Sequence, residues 1–341
     1  MTAINLFTSR CFSIFLLLLV SAMANLAHAN NLKTVKFCIW DPVGNNGPFI
    51  SFLKETKLTA IKWGVDLQLD AYTDEKVAAN DFQSGLCDAA FLTNILAKNF
   101  VPFSAAFGAP GGIRSLEQLK TLSATLNNPK AEKLITNGNY QVTGLFPIGE
   151  IYTFVRDRAN VKISNISGKK VSILNADVAS TKFAEIVGAS PVHTTLATWS
   201  GQFNNGNIDV LFGPALAYNT FELYKGLGEA GGILDYNILY AVMEMVINTE
   251  RVPEDFGQKM RQHALTRFDE LEATVKQAES EIPQKYWVKI DESGESEYRE
   301  LAKRIRLTLR DENAYDAKAI TILWKIRCKF DPSATECASP E

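Results

Sequence analysis

The sequence predicts an α/β fold made of two related lobes. The strongest indication of this fold is a sequence motif that occurs twice, the duplicated phrase. Segments 82–91 and 203–212 share the pattern F-x-x-G-x-x-D-x-x-F, with the second copy 121 residues after the first. Each copy follows an amphipathic stretch and leads into a short apolar run, which indicates a helix, a glycine stop and a buried strand. Gly85 and Gly206 suit the left-handed residue that ends a helix. Such a repeat predicts one structural unit used once in each lobe.

Alternating strand and helix patterns around both copies are the second observation, because they predict parallel strands joined by right-handed helical crossovers. One helix follows the first strand through about Thr59, and another runs into the first copy of the phrase. In the second lobe, a helix ends at Gly188. The strands predicted outside the phrase are 35–40, 65–69, 151–155, the end of 166–174, a short strand from 191, and 239–247.

A long amphipathic helix near the C-terminus is the third observation. Apolar residues recur at spacings of three and four from Phe256 to Ala278, which predicts one helix with a single apolar face. At 1.5 Å per residue this helix is roughly 40 Å long, enough to lie across both lobes. Two more helices are predicted near 295–310 and 316–328.

The order of these elements predicts a discontinuous arrangement of domains. Residues 1–29 form a signal peptide, residues 30–149 and 239–341 form lobe I with the C-terminal helices, and residues 150–238 form lobe II. The chain crosses between the lobes near Gly149 and Tyr236, which are therefore the expected hinge positions.

The first 29 residues have the pattern of a cleaved export signal. Arg10 is their only charged residue, Phe12 to Val20 is almost entirely apolar, and Ala27-His28-Ala29 has the small-x-small form of a cleavage site. A membrane anchor is the alternative, but the dense apolar run is shorter than the ~20 residues that a span needs. No later stretch is long and apolar enough to cross a bilayer, so we expect a soluble periplasmic protein.

Four cysteines remain after this signal, an even number that suggests disulfides in an exported protein. We expect Cys38 to pair with Cys87, because both lie at strands that should be neighbours. Cys328 paired with Cys337 would close a short loop near the C-terminus. Free buried thiols are the alternative for all four.

The residues that catalysis or metal binding requires do not form a recognisable pattern. After the signal only His193 and His263 remain, and neither belongs to a metal-binding motif. Nucleophile elbows, phosphate loops and dinucleotide fingerprints are also missing from the sequence. The formal net charge of −3 gives no sign of nucleic-acid binding. We therefore expect no cofactor, no metal and no enzymatic activity.

An export signal, two α/β lobes and no catalytic constellation together resemble periplasmic solute-binding proteins. The run I-S-G-K-K-V at 166–171 resembles the strand that opens the second lobe in such receptors. Segments 188–192 and 203–214 are similar to the "G-A-x-P-V … G-x-v-D" motif of TRAP-transporter (DctP-like) receptors. The run I-P-Q-K-Y-W at 282–287 also resembles the sequence pattern of these receptors. The resemblance implies a two-lobed, type II-like binding-protein fold. It points to a divergent group of which some members carry an efflux or aminoglycoside-resistance label.

One position departs from that family. TRAP receptors usually carry an arginine two residues after the second lysine of the opening strand, where it clamps a carboxylate of the ligand. Ser172 occupies this position here, so the guanidinium fork suited to a carboxylate is missing. We therefore hypothesise a small polar ligand with a cationic or hydroxyl-rich group.

Residues at the carboxyl ends of the predicted strands are the candidate ligand contacts, because ligands bind there in open parallel sheets. Aromatic side chains beside a few polar groups are typical of small-molecule sites. The candidates are Trp40, Asp41, Asn45, Asn46, Thr93, Asn94, Tyr152, Arg156, Asn175, Asp177, Trp199, Asn204, Phe212 and Tyr218.

Several candidates also have a purely structural interpretation. Trp199 and Phe212 suit a hydrophobic core, and Asn204 suits the end of a helix. Arg156 stands next to Asp157 and could form a solvated ion pair. Asp41 and Asp177 each follow a strand, and the sequence does not decide between the two interpretations for either.

Three functions remain open at this point. The first is a periplasmic receptor that closes two lobes over a small solute and delivers it to a membrane permease. The second is an envelope protein of the same fold that binds a drug or an efflux complex, and the third is an exported enzyme. The fold alone cannot separate them.

Overall fold

A computed structural model of the protein describes residues 32–341, so the predicted signal peptide lies outside the described residues. Within them, eleven strands belong to one mixed sheet. The strands are β1 (Lys33–Trp40), β2 (Val65–Tyr72), β3 (Ala89–Thr93), β4 (Thr136–Asn137), β5 (Tyr140–Val155), β6 (Lys170–Leu174), β7 (Ser190–Thr194), β8 (Val210–Pro214), β9 (Gly232–Leu234), β10 (Leu239–Asn248) and β11 (Trp287–Val288).

The helices lie between these strands and at the C-terminal end of the chain. They are α1 (Pro48–Ile61), α2 (Glu75–Gln83), α3 (Asn94–Ala97), α4 (Leu116–Asn127), α5 (Val178–Val187), α6 (Trp199–Asn204), α7 (Ala217–Thr220), α8 (Tyr224–Leu227), α9 (Phe256–Thr266), α10 (Phe268–Ser280), α11 (Glu292–Asp311) and α12 (Ala317–Phe330). Short 3₁₀ turns connect several of them, including Pro102–Gly108.

Two half-sheets of four strands each make up the main sheet. Its order is β2-β1-β3-β10-β5-β8-β6-β7, and β10 pairs with β5 in antiparallel register at the centre. In the first half-sheet (β2, β1, β3, β10), β1 is parallel to both neighbours and β10 runs antiparallel to β3. In the second (β7, β6, β8, β5), β6 is parallel to both neighbours and β5 runs antiparallel to β8. The halves therefore repeat one topology, as the duplicated phrase predicts.

The duplicated phrase has the same local structure in both half-sheets. Gly85 and Gly206 both adopt φ of +81°, the left-handed conformation that the sequence predicts after each helix. The carboxylate of Asp88 accepts the backbone N–H of Lys36 at 2.9 Å, and that of Asp209 accepts the N–H of Lys170 at 2.9 Å. Each repeated aspartate thus fixes the start of its own strand against the neighbouring parallel strand.

An arginine from the adjacent antiparallel strand completes each copy. The Arg251 guanidinium, just beyond β10, donates to the carbonyl of Gly85 and lies 3.3 Å from the Asp88 carboxylate. Arg156, just beyond β5, donates to the carbonyl of Phe203 at 2.9 Å. Arg156 does not line the cavity described below, because β5 runs antiparallel to β8 and ends beside the start of β8 rather than beside its carboxyl end.

Both predicted disulfides are present. Cys38–Cys87 joins β1 to the segment that leads into β3, and Cys328–Cys337 joins α12 to the C-terminal segment. Their sequence separations are 49 and 9 residues. The loop-entropy relation assigns them about 4 and about 2.5 kcal/mol of stabilisation, since the longer loop loses more freedom in the unfolded chain.

The apolar stripe predicted as one long helix is carried by two, α9 and α10. The backbone leaves helical geometry at Arg267 (φ −103°, ψ 0°) between them. The guanidinium of Arg267 lies 4.6 Å from the centre of the Phe52 ring and forms ion pairs with Glu55 and Glu270. This anchored side chain lies where the chain turns, and the spacing of apolar residues cannot reveal such a break.

A buried group of ion pairs fixes the C-terminal helices to the first half-sheet. Arg306 of α11 and Arg327 of α12 both bind the carboxylate of Glu341, and the Arg306 guanidinium also donates to the carbonyl of Pro110 at 2.8 Å. Burial opposes the ionisation of Glu341, but the two guanidinium groups outweigh it and hold the pKa of this carboxyl below its usual range. The group positions α11 beside the loop at Pro110.

The repeated aspartates give a direct test of the duplicated unit. We expect Asp209→Ala to lower the free energy of unfolding by about 2 kcal/mol, because it leaves the Lys170 amide without its charged acceptor. Asp255→Ala is the control, since Asp255 is exposed and pairs only with Lys259 one helical turn away. Urea denaturation measures both variants, and equal effects of the two would contradict the assigned role.

Candidate ligand-binding cavity

A cavity of about 230 Å³ lies where the two half-sheets meet. Thr93 and Asn94 follow β3 on one wall, and Gly213 and Pro214 end β8 on the opposite wall. Trp40, the last residue of β1, also lines it. The carboxyl ends of strands from both halves therefore converge on one space, which is where the duplicated phrase predicts that ligands bind.

The walls of this cavity are mostly apolar. Among the described lining residues, Asp177 is the only one with a carboxylate, and none is lysine, arginine or histidine. Aromatic side chains contribute to every side of the space. They are Trp40, Phe49, Phe183, Trp199, Phe212, Phe221, Tyr236 and Tyr298.

The structure brings together six of the predicted contact residues and leaves the other eight outside the lining. The six are Trp40, Thr93, Asn94, Asp177, Trp199 and Phe212. Trp199 is also almost fully buried, and its indole N–H has no hydrogen-bond partner among the described residues. Phe212 packs against Phe183 at 5.0 Å between ring centres. Both therefore belong to the core and to the cavity wall at once.

Asp41 has a structural role. It is fully buried, and its carboxylate accepts the backbone N–H groups of Val43, Phe49 and Ile50. It thereby fixes the loop after β1 and the first turn of α1, and it does not line the cavity. Asn45 and Asn46 are exposed in that loop and lie outside the lining.

Four candidates of the second half point away from the cavity. The amide of Asn204 binds the backbone at Phe221 and Gly226, so it joins the end of α6 to α8. The Tyr152 hydroxyl lies 2.8 Å from the Glu150 carboxylate and 3.1 Å from that of Glu279, and Tyr218 packs against Tyr224 and Tyr286. Asn175 is exposed beyond β6. With Arg156, Asp41, Asn45 and Asn46, these complete the set outside the lining.

A third wall comes from α11, which the sequence did not connect with the site. Tyr298, Leu301, Ala302 and Ile305 line the cavity and recur at the helical spacing of three and four. Their apolar stripe was a visible signal. The sequence did not show which surface this stripe packs against, because the spacing of apolar residues identifies a buried face but not its neighbour. Tyr236 and Pro110 complete this side.

Ser172 stands where the family resemblance places a carboxylate-binding arginine. Its hydroxyl lies 3.1 Å from that of Thr194 between β6 and β7, and the residue is buried outside the cavity lining. Position 172 therefore supplies no charged donor to the cavity, as the sequence indicates.

Thr93 is held in the cavity wall by a buried acid. Glu75, the first residue of α2, accepts both the backbone N–H of Thr93 at 2.6 Å and its hydroxyl at 2.7 Å. Burial raises the pKa of Glu75 from 4.5 to about 7, although the two hydrogen bonds from Thr93 oppose this shift. The Thr93 hydroxyl is thus already engaged within the protein.

One side chain bridges the two halves beside the cavity. Lys98, directly after α3, donates from its ammonium group to the carbonyl of Ala176, next to Asp177. Burial lowers the pKa of Lys98, and the charge of Asp177 partly opposes this shift. The contact brings the end of α3 and the start of α5 to the same corner of the cavity.

Comparison with known proteins gives a match to one family model and to two relatives. A family model described as "Solute-binding protein AdeT 1/2" matches residues 50–341. "Probable solute-binding protein AdeT1" of Acinetobacter baumannii is 33% identical over 300 residues, covering 88% of this chain and 99% of that protein. "Probable solute-binding protein AdeT2" of the same organism is 25% identical over 233 residues, covering 67% of this chain and 98% of that protein.

Solved structures with the same fold are TRAP periplasmic solute-binding proteins. One from Desulfovibrio salexigens, with bound orotic acid, has a TM-score of 0.71 at 12% identity and covers 88% of this chain and 99% of its own. Another from Ralstonia eutropha, with bound (S)-2-acetolactate, has a TM-score of 0.70 at 13% identity and covers 87% and 99%. These likenesses confirm the predicted two-lobed binding-protein fold.

The buried acid behind Thr93 predicts a pH dependence of stability. Because the pKa of Glu75 is higher in the folded chain than its ordinary 4.5, ionisation favours unfolding, and the free energy of unfolding should fall as the pH rises from about 4.5 to about 7. We expect Glu75→Gln, which keeps an oxygen for Thr93, to gain about 2 kcal/mol relative to the native protein between pH 5 and pH 8.

Thermal or urea unfolding at the two pH values measures this difference. Glu254→Gln is the matched control, because Glu254 is exposed. A Glu75→Gln protein whose stability changes with pH as steeply as the native protein would show that Glu75 does not ionise in this window.

Proposed function

The chain belongs to the AdeT 1/2 family of solute-binding proteins, and from this premise we propose that it captures a small solute in the cavity between its half-sheets and delivers it to a membrane transporter. The family is one of binding proteins rather than enzymes. The cavity at the converging strand ends is the observation that carries the proposal, because ligands of open α/β sheets bind at such ends.

The predicted lobes supply the mechanism of capture. Lobe I comprises residues 30–149 and 239–341, and lobe II comprises residues 150–238. The chain then crosses between lobes near Gly149, whose φ of +118° is open to glycine alone, and near Tyr236 in the cavity wall. A hinge motion at these crossings would open and close the cavity over the solute.

Export to the periplasm is the expected location. The pattern of residues 1–29 supports it, and so do the two disulfides, because disulfides persist in oxidising compartments. Between residues 32 and 341, no helix combines the length and the apolar character needed to cross a membrane. Transport itself therefore requires a partner in the membrane, either a permease or an efflux complex.

Blocking the cavity tests the proposed capture. We expect the native protein, purified from its own periplasm, to retain a small molecule that native mass spectrometry detects, and Ala302→Trp to lose it because the indole fills the space beside α11. Ala317→Trp is the control, since Ala317 is exposed at the start of α12. Retention of the same molecule by Ala302→Trp, with circular dichroism unchanged, would contradict capture in this cavity.

The partner is tested separately. Small-angle scattering should show contraction when the retained molecule is added back to the stripped protein. A permease partner requires this closure, whereas recovery of efflux components without ligand-dependent contraction would favour the envelope interaction protein instead.

A further inference from the structure

The polar groups in the cavity wall are mostly engaged with the protein itself. Thr93 donates to Glu75, the Ser180 hydroxyl donates to the carbonyl of Asp177, and the Tyr298 hydroxyl donates to the carbonyl of Val161. The side-chain N–H of Asn94 donates to the carbonyl of Ala105. These four donors already have acceptors, whereas the indole N–H of Trp199, another lining residue, has none among residues 32–341.

Two side-chain oxygens of the lining residues are also left without partners among the described residues. Asp177 uses one carboxylate oxygen to accept the N–H of Ala179, and the other oxygen has no partner among residues 32–341. The side-chain oxygen of Asn94 likewise has no partner in the described part of the chain. The bridge from Lys98 to Ala176 brings their two elements together. Acceptors of this kind suit a ligand that donates hydrogen bonds.

Comparison of the two half-sheets shows that this acceptor is particular to Asp177. Asp41 and Asp177 both follow the central strand of their half and both bind the first turn of the next helix. Asp41 accepts three N–H groups and is fully buried, whereas Asp177 accepts one and reaches the cavity. The equivalent positions therefore differ in how much of the carboxylate is available.

The remaining surface sets the size and character of the ligand. A cavity of 150 Å³ with apolar walls holds a benzene ring, so about 230 Å³ accommodates one ring with a short chain. Aromatic walls favour an apolar body and also attract a cation through the faces of their rings. A polycation does not fit this space, since one carboxylate can compensate one charge and the walls hydrate none of the others.

Resting on the function proposed above, we propose that the solute is a small apolar monoammonium compound whose charged group binds Asp177 and whose body lies against the aromatic walls. A carboxylate is disfavoured in the cavity, because the lining carries the carboxylate of Asp177 and no basic side chain, and Lys98, outside the lining, is engaged with the carbonyl of Ala176. The apolar walls also leave the hydroxyl-rich ligand considered from the sequence without enough partners.

Three probes of matched shape test this ligand class by isothermal titration calorimetry at neutral pH: 2-phenylethylammonium, 2-phenylethanol and 3-phenylpropionate. We expect the ammonium probe to bind at least about tenfold more tightly than the alcohol, because a charge-assisted hydrogen bond replaces a neutral one. The propionate should show no measurable binding. Equal affinities of ammonium and propionate would overturn the proposal.

Asp177→Asn then tests how much the negative charge of the Asp177 carboxylate contributes to binding. Asparagine caps a helix as well as aspartate does, so the variant should fold normally. The substitution should lower the affinity for the ammonium probe by about tenfold while changing the affinity for the alcohol by less than about twofold. Asp316→Asn is the matched control, since Asp316 caps α12 in the same way but is exposed and lies outside the lining.

The outcomes separate the ligand class from the proposed function. Unchanged ammonium binding by Asp177→Asn, or no binding of any probe at millimolar concentration, shows the ligand class to be wrong. Retention of a periplasmic molecule by the native protein, and its loss in Ala302→Trp, would then still support capture in the cavity. Failure of that retention experiment counts against the proposed function itself.

Discussion

The antiparallel pairing of β5 with β10 is the interaction on which the rest of the structure depends. These two long strands lie at the centre of the sheet, and each also pairs with the strand of one copy of the duplicated phrase. The hydrogen-bonded ladder between them therefore fixes where both half-sheets stand. It brings the carboxyl ends of β3 and β8 to opposite walls of one cavity, so the site is a consequence of this pairing.

The two half-sheets share a backbone topology but differ in the side chains that they present to the cavity. Asp88 and Asp209 hold neighbouring strands in the same way, and arginines beyond the antiparallel strands complete both turns. The cavity wall takes its character from positions where the halves differ. Backbone N–H groups bind both carboxylate oxygens of Asp41 but only one of Asp177. The cavity wall therefore contains one partly free carboxylate among mostly apolar side chains. Duplication thus accounts for the shared fold, whereas the proposed ligand class rests on the divergence at the strand ends.

The sequence predicted the fold more completely than the site. The two related α/β units, the glycine stops and both disulfide pairs were predicted, because each depends on residues close to one another in the chain or in adjacent strands. Six of the fourteen candidate contacts line the cavity. Arg156 lies outside the lining because the direction of β5 is a tertiary fact, and Tyr152 lies outside it because its hydroxyl contacts Glu150 and Glu279 instead.

By itself, the sequence determined that two related α/β units exist, that their strands end in polar and aromatic residues, and that the carboxylate-binding arginine is replaced by Ser172. Only the tertiary structure decided which of those residues share a space. It placed α11 as a third wall, divided the long apolar stripe at Arg267, and left Asp177 as the one carboxylate among the described residues that line the cavity. The physical reason is that periodicity fixes which face of an element is buried, whereas packing between elements distant in the chain fixes what that face meets.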